Sequence, residues 1–265
     1  MAQGSSERES QVDTIAAAAE RLARAHRLLV LGGAGLSADA GIPTFRGAGG
    51  LWHQHDAQDL ASPTAFATHP ERVWEWYRER RLQVACAEPH AGQRSLAMLQ
   101  KHSQARILVA TTNEDDLLER AGVSPVVHLH GSLFDTACSQ ACGWRARDDQ
   151  DNSRSFLPCP RCGAPARPGS VWFDEAMPRG PLQTIAQFDP DACLLVGSSM
   201  LVAPVSEIPP ELAGAGHPVV EINPEETPFS RIASQSLRGP ARDILPMLVD
   251  LLTSSTVRGQ VRKLT

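Results

Sequence analysis

Residues 27–52 read RLLVLGGAGLSADAGIPTFRGAGGLW. Leu28 to Leu31 is an apolar run short enough for one buried strand. Gly32, Gly33 and Gly35 follow at once, and small residues there let the backbone approach a neighbour closely. Gly33-Ala34-Gly35-Leu36-Ser37-Ala38 fits the G-x-G-x-x-G/A dinucleotide fingerprint. In that arrangement a strand, a turn and a helix start set backbone N–H groups around a pyrophosphate. A glycine-rich turn without a ligand satisfies the same short pattern. The continuation differs from a plain dinucleotide fold. Gly41-Ile42-Pro43 ends any helix within two turns, because proline lacks the N–H and clashes with the preceding turn. Thr44-Phe45-Arg46-Gly47 then brings an aromatic ring and a cation to fold back over a bound nucleotide.

The chain has 265 residues, of which 42% are hydrophobic and 21% charged, the balance of a soluble globular protein. That length suits one large domain, alone or with a smaller insert. A net charge of -5 gives no general affinity for nucleic acid or an anionic membrane. No apolar run approaches the roughly 20 residues that cross a bilayer. Residues 1–10 are polar and mixed in charge, which reads as a flexible arm and not as a signal peptide. A cytoplasmic location is the corresponding expectation. Four of the six cysteines are clustered, which favours a metal over disulfides in a reducing compartment.

Helical periodicity predicts a helix over Gln11 to His26, with Val12, Ile15, Ala16, Ala19, Leu22 and Ala23 on one face. Further helices are predicted over Pro70 to Ala85, Ala91 to His102 and Ala241 to Leu252. Short apolar runs predict strands at Ile107–Ala110, Val126–Leu129, Ala192–Val196 and Pro218–Ile222. The alternation implies an α/β fold, an open parallel sheet with helices on both faces. Ligands bind such sheets at the carboxyl ends of the strands. Polar or small residues stand there: Thr112, Asn113, Glu114 and Asp115; His130; Gly197, Ser198 and Ser199; Asn223, Pro224 and Glu225. Asn and Asp are also ordinary turn formers. His130 ends its strand beside Gly131 and suits proton transfer near neutral pH. His128 lies two residues earlier and so faces the same side.

Cys138-x3-Cys142 and Cys159-x2-Cys162 enclose a loop of 16 residues, polar and charged in character. Two such knuckles suit a tetrahedral Zn²⁺ that is structural, since all four positions are filled. Gly143 and Gly163 each follow a second cysteine, where the knuckle must turn sharply. Tyr77 and Arg80 are three apart and share a helix face; spacing alone makes them a core tyrosine and a surface arginine.

Gly33 to Gly47 resembles the cofactor loop of the sirtuins, GAG-x-S-x-x-x-GIP-x-FRG, at every specified position. The sirtuins are NAD-dependent protein lysine deacylases. Thr111 to Gly122 resembles their TQN-x-D-x-L-H-x-x-AG motif, with Thr112 for Gln, Leu118 for His and Glu114 for an apolar residue. Gly32 stands for the usual Thr. His130-Gly131-Ser132 is similar to their HG-S/T motif, and Arg167 to Glu175 to RP-x-VVWFGE, with Gly169-Ser170 for the common His-Val and Asp174 for Gly. Gly197-Ser198-Ser199 and Ile222-Asn223-Pro224-Glu225 resemble the segments that hold adenosine. The resemblance spans about Leu28 to Pro246.

It implies a Rossmann-like NAD-binding domain at residues 11–133 and 168–255, and a helical insert near 48–90. It also implies a zinc module at 134–167 holding one Zn²⁺, and a tail at 256–265. It implies His130 as general base, with Asn113 and Asp115 positioning the nicotinamide and ribose. Gly33, Ala34, Gly35, Ser37, Pro43, Thr44, Phe45, Arg46, Trp52, Thr112, Glu114, Gly197, Ser198, Ser199, Asn223, Pro224, Glu225 and Ala241 are the further cofactor candidates. Asn223 is preferred over Asp56 for the ribose. Val171 is expected to hold the acyl-lysine by strand addition. Acylated proteins are the implied partners; nicotinamide, O-acyl-ADP-ribose and free lysine are the products. Trp74-x-x-Tyr77-x-x-Arg80-Arg81 is similar to the signature of the class III type, which removes succinyl and malonyl groups. A buried carboxylate needs a partner, and a guanidinium fork with a phenol offers one. An acetyl group would leave Arg80 unpaired, so succinyl-lysine is expected to be the better substrate. An ADP-ribosyltransferase or NAD hydrolase on the same fold is the alternative, prompted by Thr112 and Leu118. A zinc-ribbon binding module is a second, opposed by the acidic charge.

Overall fold

The computed structural model describes residues 3–44, 59–147 and 157–254, with side chains from residue 11 onward. Phe45, Arg46, Trp52 and Asp56, and the tail expected at 256–265, lie outside the described residues.

The chain opens with α1 (Gln3–Leu22), β1 (Arg27–Gly32) and the single turn α2 (Gly35–Ala38). Next come α3 (Pro63–Thr68), α4 (Pro70–Cys86), α5 (Ala91–His102), β2 (Arg106–Thr111), α6 (Leu117–Arg120) and β3 (Val126–His128). A second sheet follows, from β4 (Gly131–Cys138), β5 (Arg145–Arg147) and β6 (Ala166–Ser170). The chain then returns through α7 (Arg179–Phe188), β7 (Ala192–Val196), α8 (Ile208–Gly214), β8 (Val219–Ile222), β9 (Gln235–Leu237) and α9 (Ala241–Thr253).

The larger sheet has six strands in the order β3-β2-β1-β7-β8-β9, and all neighbours are parallel. Counting only these strands, the order is the doubly wound 3-2-1-4-5-6. A strand covered on both faces has no polar side, which is why Leu28–Leu31 of β1 and all of β7 read as unbroken apolar runs, while β8 is interrupted by one buried glutamate, Glu221. Their period of two sorts the residues. Leu28 and Val30 enter the core beneath α1, α5 and α9, whereas Leu29 and Leu31 enter the core beneath α7 and α8. Among the described residues, no helix is long and apolar enough to cross a membrane.

The second sheet is antiparallel, in the order β5-β4-β6. Helices α3 and α4 cover it with a third core that includes Phe66, Trp74, Tyr77, Leu133, Phe134 and Trp172. Two ties fix α4 to the sheet. Trp74 Nε1 donates to the Ala166 carbonyl at 3.1 Å, and Arg81 Nη2 to that of Asp135 at 3.1 Å. The helical insert and the zinc module therefore share one core.

Two boundaries depart from the sequence expectation. Helix α1 begins at Gln3, inside the stretch read as an arm, and ends at Leu22, before His26. Its apolar face, Ile15, Ala18, Ala19 and Leu22, packs on the main core, and the helix continues upstream of that face. The strands β4, β5 and β9 go beyond the sequence expectation, whereas β6 falls in the Arg167–Glu175 stretch read as extended; Gln235-Ser236-Leu237 is too short to show a period.

Candidate functional site

The sheet order reverses between β1 and β7, so a crevice opens at their carboxyl ends. Two glycine turns meet there. Gly33 N–H donates to the Val196 carbonyl and Gly35 N–H to that of Gly197, both at 2.8 Å. A Cβ on Gly33 would sit 2.6 Å from Ser198 Cα, and one on Gly35 2.8 Å from Gly197 Cα. Gly197 itself has φ +61, and a Cβ there would lie 2.4 Å from Leu36 N. The glycines are thus demanded by loop-on-loop packing. The amides of Gly33 and Gly35 bond protein carbonyls, so these two glycines serve the close approach of the two loops. Helix α2 stops after one turn, and Gly41 (φ +87) with Pro43 turns the chain away, as the sequence predicts.

Behind these turns lies a buried polar set. Asn113 Nδ2 donates to the Gly33 carbonyl at 3.0 Å and to Ser37 Oγ at 2.9 Å. Asp115 bonds the same Ser37, and its Oδ1 accepts from Leu117 N–H at 3.1 Å. Burial raises the Asp115 carboxyl above the ordinary aspartate value, against these two hydrogen bonds. Ser37, Asn113 and Asp115 therefore form one fixed unit at the edge of the crevice. Thr112 donates its N–H to the Gly32 carbonyl at 3.0 Å.

The far side of the crevice is a polar brace. Asn223 Nδ2 donates to the Ser198 carbonyl at 2.9 Å, and its Oδ1 accepts from Glu225 N–H at 3.2 Å. Asn223 therefore joins the β7 and β8 loops. Pro224, Glu225 and Ser199 are exposed beside it. Ala241 is buried at the start of α9, where a Cβ on Gly92 would meet its carbonyl at 2.5 Å. Sequence reasoning missed Glu221, fully buried on β8 and bonded by Thr227, Ser230 (2.6 Å), Ser236 (2.9 Å) and Arg238 (3.2 Å). It also missed His90, whose ring caps α5 and reaches the Leu36 carbonyl at 2.8 Å. A buried glutamate in a strand and a histidine before a helix carry no local signal of either role.

A cavity of about 450 Å³ lies between the two sheets. His130, Thr112 and Glu114 from the parallel sheet line it; so do Trp76, Tyr77 and Arg80 from α4 and Val171 to Met177 from the stretch after β6. The two histidines part company here. His130 faces the cavity, whereas His128 does not line it. Burial lowers the His130 pKa below the ordinary 6.5, although Glu114 and the Thr112 carbonyl act the other way. The ring is therefore neutral at neutral pH and able to accept a proton. Burial alone would also depress His128, but Glu119 at 2.7 Å and the Asn113 carbonyl at 3.0 Å raise it above 6.5. His128 is a buttress for the Asn113 loop.

Tyr77 is fully buried, and its hydroxyl accepts from Trp172 Nε1 at 2.9 Å. Burial, then the nearby Glu114 charge, pushes its pKa well above the ordinary phenol value. Arg80 is not a surface residue and is not waiting for a carboxylate. Its Nη1 donates to Glu114 Oε2 at 2.7 Å, with the two side chains 9% and 8% exposed. Its guanidinium stacks 4.8 Å from the Trp76 ring. The premise that an acetyl group would leave Arg80 unpaired is thereby overturned, because Glu114 already neutralises it. The Glu114 side chain likewise lies in this cavity and on Arg80, away from the crevice assigned to it. Val171 lines the cavity, but its N–H is taken by the His130 carbonyl at 2.8 Å and cannot pair with an added strand. Asp174 adopts φ +64, a conformation natural to the glycine it replaces and tolerated by aspartate.

The thiols of Cys138, Cys142, Cys159 and Cys162 lie within 4.8 Å of one another, with Cys138–Cys162 at 3.4 Å and Cys142–Cys159 at 3.6 Å. Zn–S bonds of about 2.3 Å in a tetrahedron set sulfurs roughly 3.8 Å apart, so the cluster fits one structural zinc ion. Gly143 (φ +87) and Gly163 (φ +77) turn the knuckles, as their positions predict. Ala141, in the longer first knuckle, is also left-handed at φ +49.

Comparison with known proteins agrees with this geometry. A protein of Pseudomonas aeruginosa named NAD-dependent protein deacylase 1 is 42% identical over 244 residues, covering 88% of this chain and 97% of its own. The crystal structure of a Sir2 homolog–NAD complex superimposes with a TM-score of 0.80 at 37% identity, covering 96% of this chain and 94% of that one. A Sir2 structure bound to a myristoylated histone peptide gives 0.73 at 27% identity, covering 94% and 99%. The Sir2 family profile matches residues 33–204. With its doubly wound sheet, four-cysteine cluster and enclosed His130, the chain belongs to the Sir2 family.

Proposed function

We propose that this chain is an NAD-dependent protein lysine deacylase that takes acylated proteins as substrates. One observation carries the reading. His130 shares a cavity with Tyr77, Arg80 and Val171, next to the buried Ser37–Asn113–Asp115 set. NAD, when bound, supplies the reactive ribose carbon and the nicotinamide leaving group. Everything else falls to the protein.

Asn113 and Asp115, held through Ser37, orient the nicotinamide end. Their hydrogen bonds are made in advance, so no reorganisation is needed when substrate arrives. The ring of His130 donates to the Thr112 carbonyl through one nitrogen. The other nitrogen, neutral because of burial, takes the proton of a ribose hydroxyl. The wall formed by Trp76, Trp172 and Phe173 excludes water around the acyl chain. The expected products are free lysine, nicotinamide and O-acyl-ADP-ribose. The four cysteines hold zinc away from the chemistry, where it fixes the end of β4 and with it one side of the cavity.

Acetyl is the acyl group that suits the cavity as it stands. Succinyl and malonyl groups fall within its reach through Tyr77 and Arg80, but must compete with Glu114. Departures at two positions favour a second reading, transfer of ADP-ribose to protein or hydrolysis of NAD. Leu118 is buried in the main core where the family pattern has a polar histidine, and Thr112 replaces a longer amide. Mass spectrometry of acetylated and succinylated peptides, incubated with enzyme with and without NAD, tests the proposal. NAD-dependent loss of the acyl mass supports it. An unchanged peptide with NAD consumed moves the assignment to the second reading.

A further inference from the structure

We propose that Glu114 is the residue that sets acyl preference, because its carboxylate occupies the place at Arg80 that the carboxylate of a dicarboxylic acyl group would take. The inference rests on the deacylase reading of the cavity. Glu114 follows Asn113 directly, and its carbonyl accepts from Leu133 N–H at 2.8 Å, which anchors the segment to the second sheet. Its side chain is thereby aimed across the cavity at α4. The Oε2–Nη1 contact of 2.7 Å is a charge-assisted hydrogen bond in a nearly dry setting.

The charge count then decides. With Glu114 present, the Glu114–Arg80 pair is neutral. Adding a succinyl or malonyl group would put two carboxylates on one guanidinium and leave one negative charge in excess. A second like charge at such range is strongly disfavoured away from water. One face of the guanidinium is also covered by Trp76 at 4.8 Å, so the second carboxylate cannot approach from that side. An acetyl group adds no charge and leaves the pair intact. The wild-type cavity therefore selects neutral short acyl groups, although it carries the Tyr77 and Arg80 that an anionic group would need. Removing the charge of Glu114 opens that place at Arg80 Nη1 to the carboxylate of an acyl group.

The test compares kcat/KM for acetyl- and succinyl-lysine on one peptide, in wild type, Glu114→Gln and the double variant Glu114→Gln with Arg80→Met. Wild type is expected to prefer acetyl. The single variant should raise the succinyl-to-acetyl ratio by about tenfold or more, the scale of one charge-assisted hydrogen bond. The double variant should lose that gain. Taking the ratio within each protein cancels any general loss from disturbing Asn113. A wild type that prefers succinyl, or a ratio unmoved in Glu114→Gln, overturns the inference while deacylation itself stands. If no protein turns over either peptide, the deacylase reading fails. Binding of the two fluorescently labelled peptides, measured by anisotropy on wild type and Glu114→Gln, then decides the inference by the same ratio. The wild-type arms need no variant, so a poorly folding Glu114→Gln does not shelter the idea.

Discussion

The crevice between β1 and β7 and the cavity between the two sheets are built by different means. The crevice is made of backbone and small residues. Gly33, Gly35 and Gly197 let two loops touch, and Asn113, Ser37 and Asn223 stitch them at 2.9–3.0 Å. The cavity is made of large side chains that meet across long sequence separations. Arg80 reaches Glu114, 34 residues on, and Trp172 reaches Tyr77, 95 residues back. The crevice tolerates almost no added volume, whereas the cavity is adjusted by exchanging one charge or ring. A shared cofactor with a variable acyl group calls for that division.

Loss of zinc should break the comparison most severely. Cys138 ends β4, whose Leu133 and Phe134 belong to the core that also holds Tyr77 and Trp172. Stripping the metal with a strong chelator should unfold the second sheet and abolish activity, because metal binding is coupled to folding. The parallel sheet should survive. Atomic emission for zinc and circular dichroism on the same samples check this; active protein free of zinc would contradict it.

The two histidines sharpen the comparison next. His130→Ala should lower kcat by about 10²–10⁴-fold without changing Tm. His128→Ala should instead cost about 1 kcal/mol of stability by unpairing Glu119, with a smaller loss of activity through the Asn113 loop. Thermal melts and steady-state rates separate the two, and the opposite pattern would move the catalytic role to His128.

A smaller effect is expected at the crevice. Gly33→Ala forces a Cβ to within 2.6 Å of Ser198 Cα, and overpacking of this kind costs about 1–3 kcal/mol. KM for NAD should rise with the loss of stability. Unchanged melting and NAD binding would mean that the loops can part freely.

The smallest effect lies in pH. Burial depresses His130, so the acid limb of kcat/KM should fall below the ordinary 6.5, with activity lost as pH drops through that lowered value. His128 is raised by Glu119, so its ion pair stabilises the fold below 6.5 and is lost as pH rises through the raised value. Ring-proton titration by NMR should show the two moving in opposite directions.

The same division explains what the sequence disclosed. Close approach of backbone leaves a local trace, so the glycine turns, the one-turn α2, the cysteine knuckles and helix Ala91–His102 were readable from spacing alone. Strands β1 and β7 were readable because burial on both faces removes every polar residue. Side-chain partners were not readable. Nothing near residue 80 announces that its counter-ion comes from residue 114, and nothing in the three residues of β9 marks a strand. Asp174 shows the reverse case: a departure from the family pattern that looks disruptive is explained by one backbone angle.

The central claim is that acyl-lysine and NAD are consumed together through His130. Its most direct test is a product balance with adenylate-labelled NAD and an acetylated peptide. Equal amounts of nicotinamide, deacetylated peptide and labelled O-acetyl-ADP-ribose are expected from wild type, and almost none from His130→Ala. Label appearing on protein or as free ADP-ribose, with the peptide still acetylated, would contradict the account.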